Sequence, residues 1–248
     1  MSVMPGAEPF AHDGSDVGVL LCHGFSGTPQ SLRPWASRLA DEGLSVRLPL
    51  LPGHGTTWHD LNLTRWDDWY AAASAALDEL SARCRAVVVG GLSMGGAIAA
   101  RLAAERGPDV VGLVLVNPAF ASDDSKLKAL PVVKHLVPSM PGIAGDIAKS
   151  GSIELAYDRT PLKALHSLVQ SWDVTVHRLP QVTQPLLLMH SRVDHVVPPR
   201  SSALLLSRVS SRDVTEVVLE HSFHVATLDN DADLIEKTSL DFVARVTT

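Results

Sequence analysis

The sequence predicts an α/β fold, a mostly parallel central sheet flanked by helices with a short cap insertion. Three observations carry this expectation. Short β-branched runs alternate with longer segments of helical periodicity along the 248 residues. Several of those runs are apolar without a break, as strands covered by helices on both faces should be. The alternation fails once, over residues 120–180, where prolines punctuate short apolar pieces.

The elements follow in order. Val17–Cys22 is the first strand and runs into a glycine-bracketed loop, Gly24 to Gly27; Ser45–Pro49 is the second. Trp66, Trp69, Tyr70, Ala73, Leu77 and Leu80 recur at helical spacing and lay an apolar stripe on one side of a helix, for which core packing is sufficient reason. Ala86–Gly90 is a third strand that turns at once into the helical pattern Ala97–Ala104, and Val111–Val116 is a fourth.

From about Phe120 to Pro180 there is no good strand run: Pro131, Pro138, Pro141 and Pro161 break up pieces such as Leu130–Val133 and Ile143–Ile147. Leu162, Leu165, Val169, Trp172 and Val176 then keep helical spacing. Insertions over the carboxyl edge of such sheets often cover a site, so this segment reads as a lid lining a pocket. Leu186–Met189 and Thr215–Leu219 complete the sheet. A last helix carries Leu234, Ile235, Thr238, Phe242 and Val246, with Asp229, Asn230 and Asp231 as N-cap chemistry. Residues 1–119 and 181–248 are therefore expected to form one core domain, and 120–180 its cap.

Composition excludes several functions. Lys and Arg number 21 against 27 Asp and Glu, a net charge of −6, and the basic residues are scattered, which argues against nucleic acid as a partner. The longest stretch free of Asp, Glu, Lys and Arg, Val17–Leu32, is too short and too broken by His23, glycines and Pro29 to span a bilayer. Arg33 is the first basic residue, so no export signal is legible and the expected location is the cytoplasm. Cys22 and Cys84 are too few for a disulfide framework.

The chemistry begins at Gly91-Leu92-Ser93-Met94-Gly95, a G-x-S-x-G between a strand and a helix. A serine on so sharp a turn needs neighbours without Cβ atoms, which the glycines supply. Its hydroxyl is a weak nucleophile at neutral pH, so it needs a histidine to take the proton and a carboxylate to fix that imidazole. Asp194 follows the fifth strand and His224 the sixth, giving the order Ser93, Asp194, His224. Asp123 and Asp124 are alternative acids, and His221 and His195 alternative bases. His221 and His224 also have metal-ligand spacing, but no third ligand recommends itself, and no metal is expected. An oxyanion needs two preorganised N–H donors: Met94 follows the nucleophile, and Phe25 lies in the first loop. His23 and His54 read as loop-stabilising hydrogen-bonders.

Taken together, HGFSGTPQSLRPWA, LPLLPGHGTTWHDL, WDDWY, GLSMGG, RVDHVVP and HSFHVATLD resemble the bacterial monoacylglycerol lipase and carboxylesterase family of α/β-hydrolases over nearly the whole chain. The resemblance implies a serine hydrolase with a short cap, with Ser93, Asp194 and His224 as catalytic triad and Phe25 and Met94 as oxyanion donors. It also places Glu154 where family members selective for glycerol carry a head-group carboxylate. The expected reaction is hydrolysis of monoacylglycerols, small-molecule lipid esters, with no metal or organic cofactor. A broad carboxylesterase or acyl thioesterase would use the same triad. A hydrophobic-ligand binding module on the same scaffold is the contrasting class, and such modules often carry a damaged triad. The cap surface could touch lipid transiently, although no basic amphipathic helix supports stable attachment.

Overall fold

A computed structural model describes residues 2–248, and its framework is a seven-stranded sheet. The first half contains β1 (Phe10–His12), β2 (Val17–Cys22), α1 (Arg33–Asp41), β3 (Ser45–Leu48), α2 (Trp58–Leu61), α3 (Trp66–Ser81), β4 (Ala86–Leu92), α4 (Met94–Arg106) and β5 (Gly112–Val116). Next come α5 (Leu130–Val133), β6 (Ser139–Pro141), β7 (Arg159–Pro161) and α6 (Leu162–Arg178). The chain then returns to the sheet with β8 (Leu186–Ser191), α7 (Arg200–Arg208), β9 (Val214–Leu219) and α8 (Ala232–Val246). Strand order is β1-β3-β2-β4-β5-β8-β9, parallel throughout except for the antiparallel pair β1 and β3.

Strand periodicity divides the core into two layers. Leu20, Cys22, Val87, Val89, Leu113, Leu115, Leu186 and Leu188 face α3 and α4. Their neighbours Val19, Leu21, Val88, Val114, Val116, Leu187 and Met189 face α1 and α8. The central strands β2, β4 and β5 are buried along their whole length, which is why they read as unbroken apolar runs. Their carboxyl ends converge on the loops after Cys22, Leu92 and Val116.

The structure corrects the sequence expectation in four places. β1 was not expected: three partly exposed residues give no apolar run, and their pairing is made by β3 through Phe10 to Leu48. The segment expected to lack strands contains β6 and β7, a two-stranded antiparallel pair of three residues each, too short for a pattern and carrying prolines at their ends. In α6 the most buried face is Ala164, Leu168, Ser171 and Thr175, small enough to seat it against α4, while Leu165, Trp172 and Val176 are only partly buried. In α8 Leu234 points outward, 41% exposed, and Ile235, Ser239, Phe242 and Val243 form the buried face. The expected N-cap carboxylates do not cap that helix. Asp231 and Asp229 instead accept main-chain N–H groups of His221 and Phe223.

Candidate active site

The turn from β4 to α4 puts Ser93 in an unusual conformation, φ 57° and ψ −117°. Holding a non-glycine residue there costs about 1–3 kcal/mol, which neighbouring bonds must offset. Ser93 N–H donates to Val116 O at 3.0 Å, and Ser93 O accepts from Ala119 N–H at 3.1 Å and Ala97 N–H at 3.2 Å. The turn is also sterically closed. A Cβ on Gly95 would lie 1.9 Å from Cys22 O, and one on Gly91 would lie 2.4 Å from the Gly95 carbonyl carbon.

His224, on the loop after β9, places Nδ1 2.8 Å from Asp194 Oδ2, with both side chains nearly buried at 9% and 7% exposure. The other oxygen, Asp194 Oδ1, accepts the N–H groups of Val196 and Val197, each at 2.8 Å. Burial alone would raise the Asp194 pKa, but the bond from His224 and these two amides outweigh it, and the net shift is downward. An ionised Asp194 accepting Nδ1–H leaves His224 Nε2 as the proton acceptor. Ser93 and His224 line one and the same cavity.

Of the competing residues, His195 and Asp124 also border this cavity but bond other partners, while His221 and Asp123 are not part of its wall. His221 is exposed, and its main chain bonds Asp231. The His195 ring sits 2.8 Å from Asp146. Asp123 pairs with Arg200 at the surface, and Asp124 accepts from Lys126 N–H.

The first loop presses its backbone against the elbow: a Cβ on Gly24 would be 3.6 Å from Ser93 Cβ. Leu51 N–H donates to His23 Nε2 at 3.2 Å, so the His23 proton sits on Nδ1 and reaches Gly24 O at 3.0 Å. Burial lowers the His23 pKa to about 4, which keeps the ring neutral and this bond intact at neutral pH. His54 packs edge-on against His23 and Trp69 and is held well below its ordinary pKa by burial and then by the His23 neighbour. Phe25 lines the cavity and packs edge-on against Trp69. Met94 is buried as the first residue of α4, where its N–H has no intrahelical acceptor.

The cavity has a volume of about 560 Å³ and is mainly apolar, with Leu130, Val133, Ile143, Leu165, Leu168 and Trp172 in its wall. Glu154 is the carboxylate on that wall nearest the first loop. Its Oε2 accepts Gly145 N–H at 2.8 Å, and Oε1 lies 3.0 Å from where a Gly27 Cβ would be. Burial raises its pKa, against the opposing pull of the Gly145 bond and of His224.

Several residues that organise the site carried no sequence signal. Asn117, at φ 43°, donates from Nδ2 to His224 O at 2.8 Å and accepts Ser191 N–H at 2.7 Å, tying the His224 loop to the ends of β5 and β8. Tyr157 OH bridges Gly53 O and Thr56 N–H, each at 2.8 Å, and Tyr157 N–H donates to Ser26 O. Only the short polar residue directly after β5 could have hinted at Asn117, because asparagine tolerates a left-handed backbone.

A parallel sheet presenting a strained serine, a buried His–Asp pair and a backbone-lined first loop at its carboxyl edge defines an α/β-hydrolase. The chain belongs to the family described as serine aminopeptidase, S33, whose model matches residues 15–231. It is 40% identical to a thermostable monoacylglycerol lipase of Bacillus sp. (strain H-257), covering 98% of this chain and 96% of that one. A carboxylesterase of Bacillus subtilis (strain 168) is 23% identical over 96% of this chain and 97% of its own. A solved structure described under two metagenome-derived lipolytic enzymes superposes with a TM-score of 0.96 at 40% identity, covering 98% of this chain and 100% of that chain. The monoacylglycerol lipase of Paleococcus ferrophilus shares the fold, with a TM-score of 0.81 at 18% identity over 97% of this chain and 100% of its own.

Proposed function

We propose that the protein is a carboxylic ester hydrolase that cleaves monoacylglycerols to glycerol and free fatty acid through an acyl-enzyme on Ser93. One observation carries the reading: Ser93 and His224 open into an apolar cavity whose wall also carries a desolvated carboxylate, Glu154. Residues 120–180 act as the cap that encloses this cavity. Its methylene-lined surface favours an acyl chain by about 0.8 kcal/mol per buried CH₂. The Glu154 oxygen not bonded to Gly145 accepts a glycerol hydroxyl, and a simple alkyl ester leaves that half-buried acceptor without its partner.

In the reaction, His224 Nε2 takes the Ser93 hydroxyl proton as Oγ attacks the ester carbonyl, and ionised Asp194 stabilises the imidazolium. The Phe25 and Met94 N–H groups hold the developing oxyanion. His224 then protonates the departing glycerol. Water activated by the same ring releases the fatty acid. No step uses a metal or an organic cofactor.

Among the described residues no helix is long and apolar enough to cross a membrane. Exposed Val132 at 66% and Leu136 at 77% on the cap offer transient contact with a lipid surface. The two buried, unpaired cysteines suit a reducing cytoplasm.

The test combines a fluorophosphonate probe, peptide mass spectrometry, and hydrolysis of monolauroylglycerol, an alkyl laurate and a lauroyl thioester by wild type and Glu154→Ala. Adduct at Ser93 with a preference for the glycerol ester that Glu154→Ala removes is the expected result. A Ser93 adduct without that preference makes the protein a broad carboxylesterase or thioesterase. Absence of any adduct overturns the enzyme reading in favour of a hydrophobic-ligand binding module.

A further inference from the structure

Resting on the triad reading above, we infer that Asp146 is a positioning residue, a carboxylate supplied by the inserted segment that fixes the loops bearing Asp194 and His224 relative to one another.

The bonds converge from both loops onto one side chain. Asp146 Oδ2 accepts His224 N–H at 3.1 Å and His195 N–H at 3.2 Å, while Oδ1 lies 2.8 Å from His195 Nδ1. The main-chain carbonyl of Asp146 adds a bond from Val225 N–H at 3.0 Å. One residue therefore engages the base itself, the residue after the base and the residue after the acid. The His224 to Asp194 bond joins the same two loops through their side chains, and Asp146 joins them through their backbones.

The neighbours of Asp146 bind the same region. Ala148 and Lys149 donate N–H to the Asp229 carboxylate at 2.7 and 2.8 Å, and that carboxylate also takes Phe223 N–H at 2.9 Å. On the other side, Gly145 N–H is bonded to Glu154. Residues 145–149 thus form a strap with Glu154 at one end and the His224 loop at the other. Seating of the insertion and alignment of the base are consequently one structural event. Since His224 must meet both Ser93 and substrate within a few tenths of an ångström, slack in its loop appears in the chemical step before it appears in binding.

The test uses Asp146→Ala and Asp146→Asn in the full chain, with active sites counted by fluorophosphonate titration so that kcat is expressed per competent site. Asp146→Ala removes the acceptor for both backbones. Asp146→Asn keeps one acceptor oxygen but turns an NH₂ toward the remaining donors. The expected result is a per-site kcat at least about tenfold lower in Asp146→Ala, KM within about twofold of wild type, and partial recovery in Asp146→Asn, because misplacement on the order of 1 Å costs up to about 10²-fold. A role confined to folding would lower the titrated fraction or the melting temperature and leave per-site kcat unchanged. That outcome in either variant overturns the inference; if Asp146→Ala fails to fold, Asp146→Asn decides alone. A wild-type protein that takes no probe at Ser93 instead overturns the triad reading on which the inference rests.

Discussion

Asn117→Ala tests how the His224 loop is held, and its cost can be worked from the structure. The side chain is buried at the end of β5, accepts Ser191 N–H, and donates to His224 O at 2.8 Å and Ser191 Oγ at 3.0 Å. Truncation leaves a buried N–H and a buried carbonyl without their partner, at about 1–3 kcal/mol each. Alanine at φ 43° adds about 1 kcal/mol that asparagine largely avoids. The sum, about 3–7 kcal/mol, is a large share of the ~5–15 kcal/mol that holds a domain folded. At roughly 2–4 °C per kcal/mol for a chain of this size, the melting temperature should fall by about 6–28 °C in scanning calorimetry. Asn117→Gly separates the two causes, recovering only the backbone part, about 1 kcal/mol. A melting temperature for Asn117→Ala within about 2 °C of wild type, less than 1 kcal/mol at this size, would refute the claim that this side chain ties the strand ends to the loop.

Three further outcomes are expected. Asp194→Asn should lower kcat by about 10⁴-fold with little change in secondary structure by circular dichroism, since a neutral amide no longer fixes His224 with Nδ1 protonated; a loss under tenfold would remove Asp194 from the triad. Stability should fall on acidification through His23, whose folded pKa is about 4 against an ordinary value near 6.5. The unfolded chain binds the proton first, so the contribution is whole above about pH 6.5 and is lost toward pH 4 at about 1.4 kcal/mol per unit. The difference between wild type and His23→Gln in urea unfolding at about pH 7.5 and about pH 4.5 isolates it, and an unchanged difference contradicts the burial argument. Amide exchange should be fast over residues 134–137, bonded only within their own turn, and slow at Ala148, Lys149, Leu155 and Tyr157, whose N–H groups bond Asp229, Gln30 and Ser26. Equal protection of the two sets would show that these bonds do not hold the strap.

What could be read from the chain follows from the range of the interaction involved. β2, β4, β5 and β8 announced themselves because a strand covered on both faces must be apolar throughout, and Ser93 because a closed turn demands glycines on either side. Asp194 and His224 were legible because they follow strands in a particular order. Their bond at 2.8 Å joins loops that only the sheet brings together. β1, β6 and β7 escaped because three-residue strands have no period. Asn117, Asp146, Tyr157 and Asp229 escaped for a different reason. Each acts on main-chain groups brought near by the fold, and backbone N–H and C=O groups are the same at every position. Asp229 is the sharpest instance. Its place before α8 suggested a cap, whereas its oxygens accept Phe223, Ala148 and Lys149 N–H from two other segments, along with the adjacent Asn230 N–H.

The insertion is bound to the body by two kinds of force with different consequences. α6 is seated mainly by packing, with Ala164 and Leu168 in the same core as α3 and α4, helped by Trp66 N–H donating to Ser167 Oγ at 2.9 Å and Lys163 N–H to Asn62 Oδ1 at 3.0 Å. Residues 145–157 are seated by directional bonds: Asp146 and Asp229 toward the His224 loop, Gln30 exchanging bonds with Leu155 and Ile153, and Tyr157 OH between Gly53 and Thr56. Apolar packing tolerates sliding, whereas a hydrogen bond weakens steeply when misaligned. The directional set lies beside the first loop and the His224 loop, where the proposed oxyanion donors and the proposed base must keep their separation. The wall farther along, where Leu130 and Val133 of α5 line the cavity with exposed Val132 and Leu136 on the same segment, is tied through Lys134 Nζ and His166 Nδ1, 2.9 Å apart, to α6 of the same insertion rather than to the body. An acyl chain of variable length asks only for apolar volume at that end. The chemistry asks for fixed distances at the other, and the bonding of the insertion is distributed accordingly.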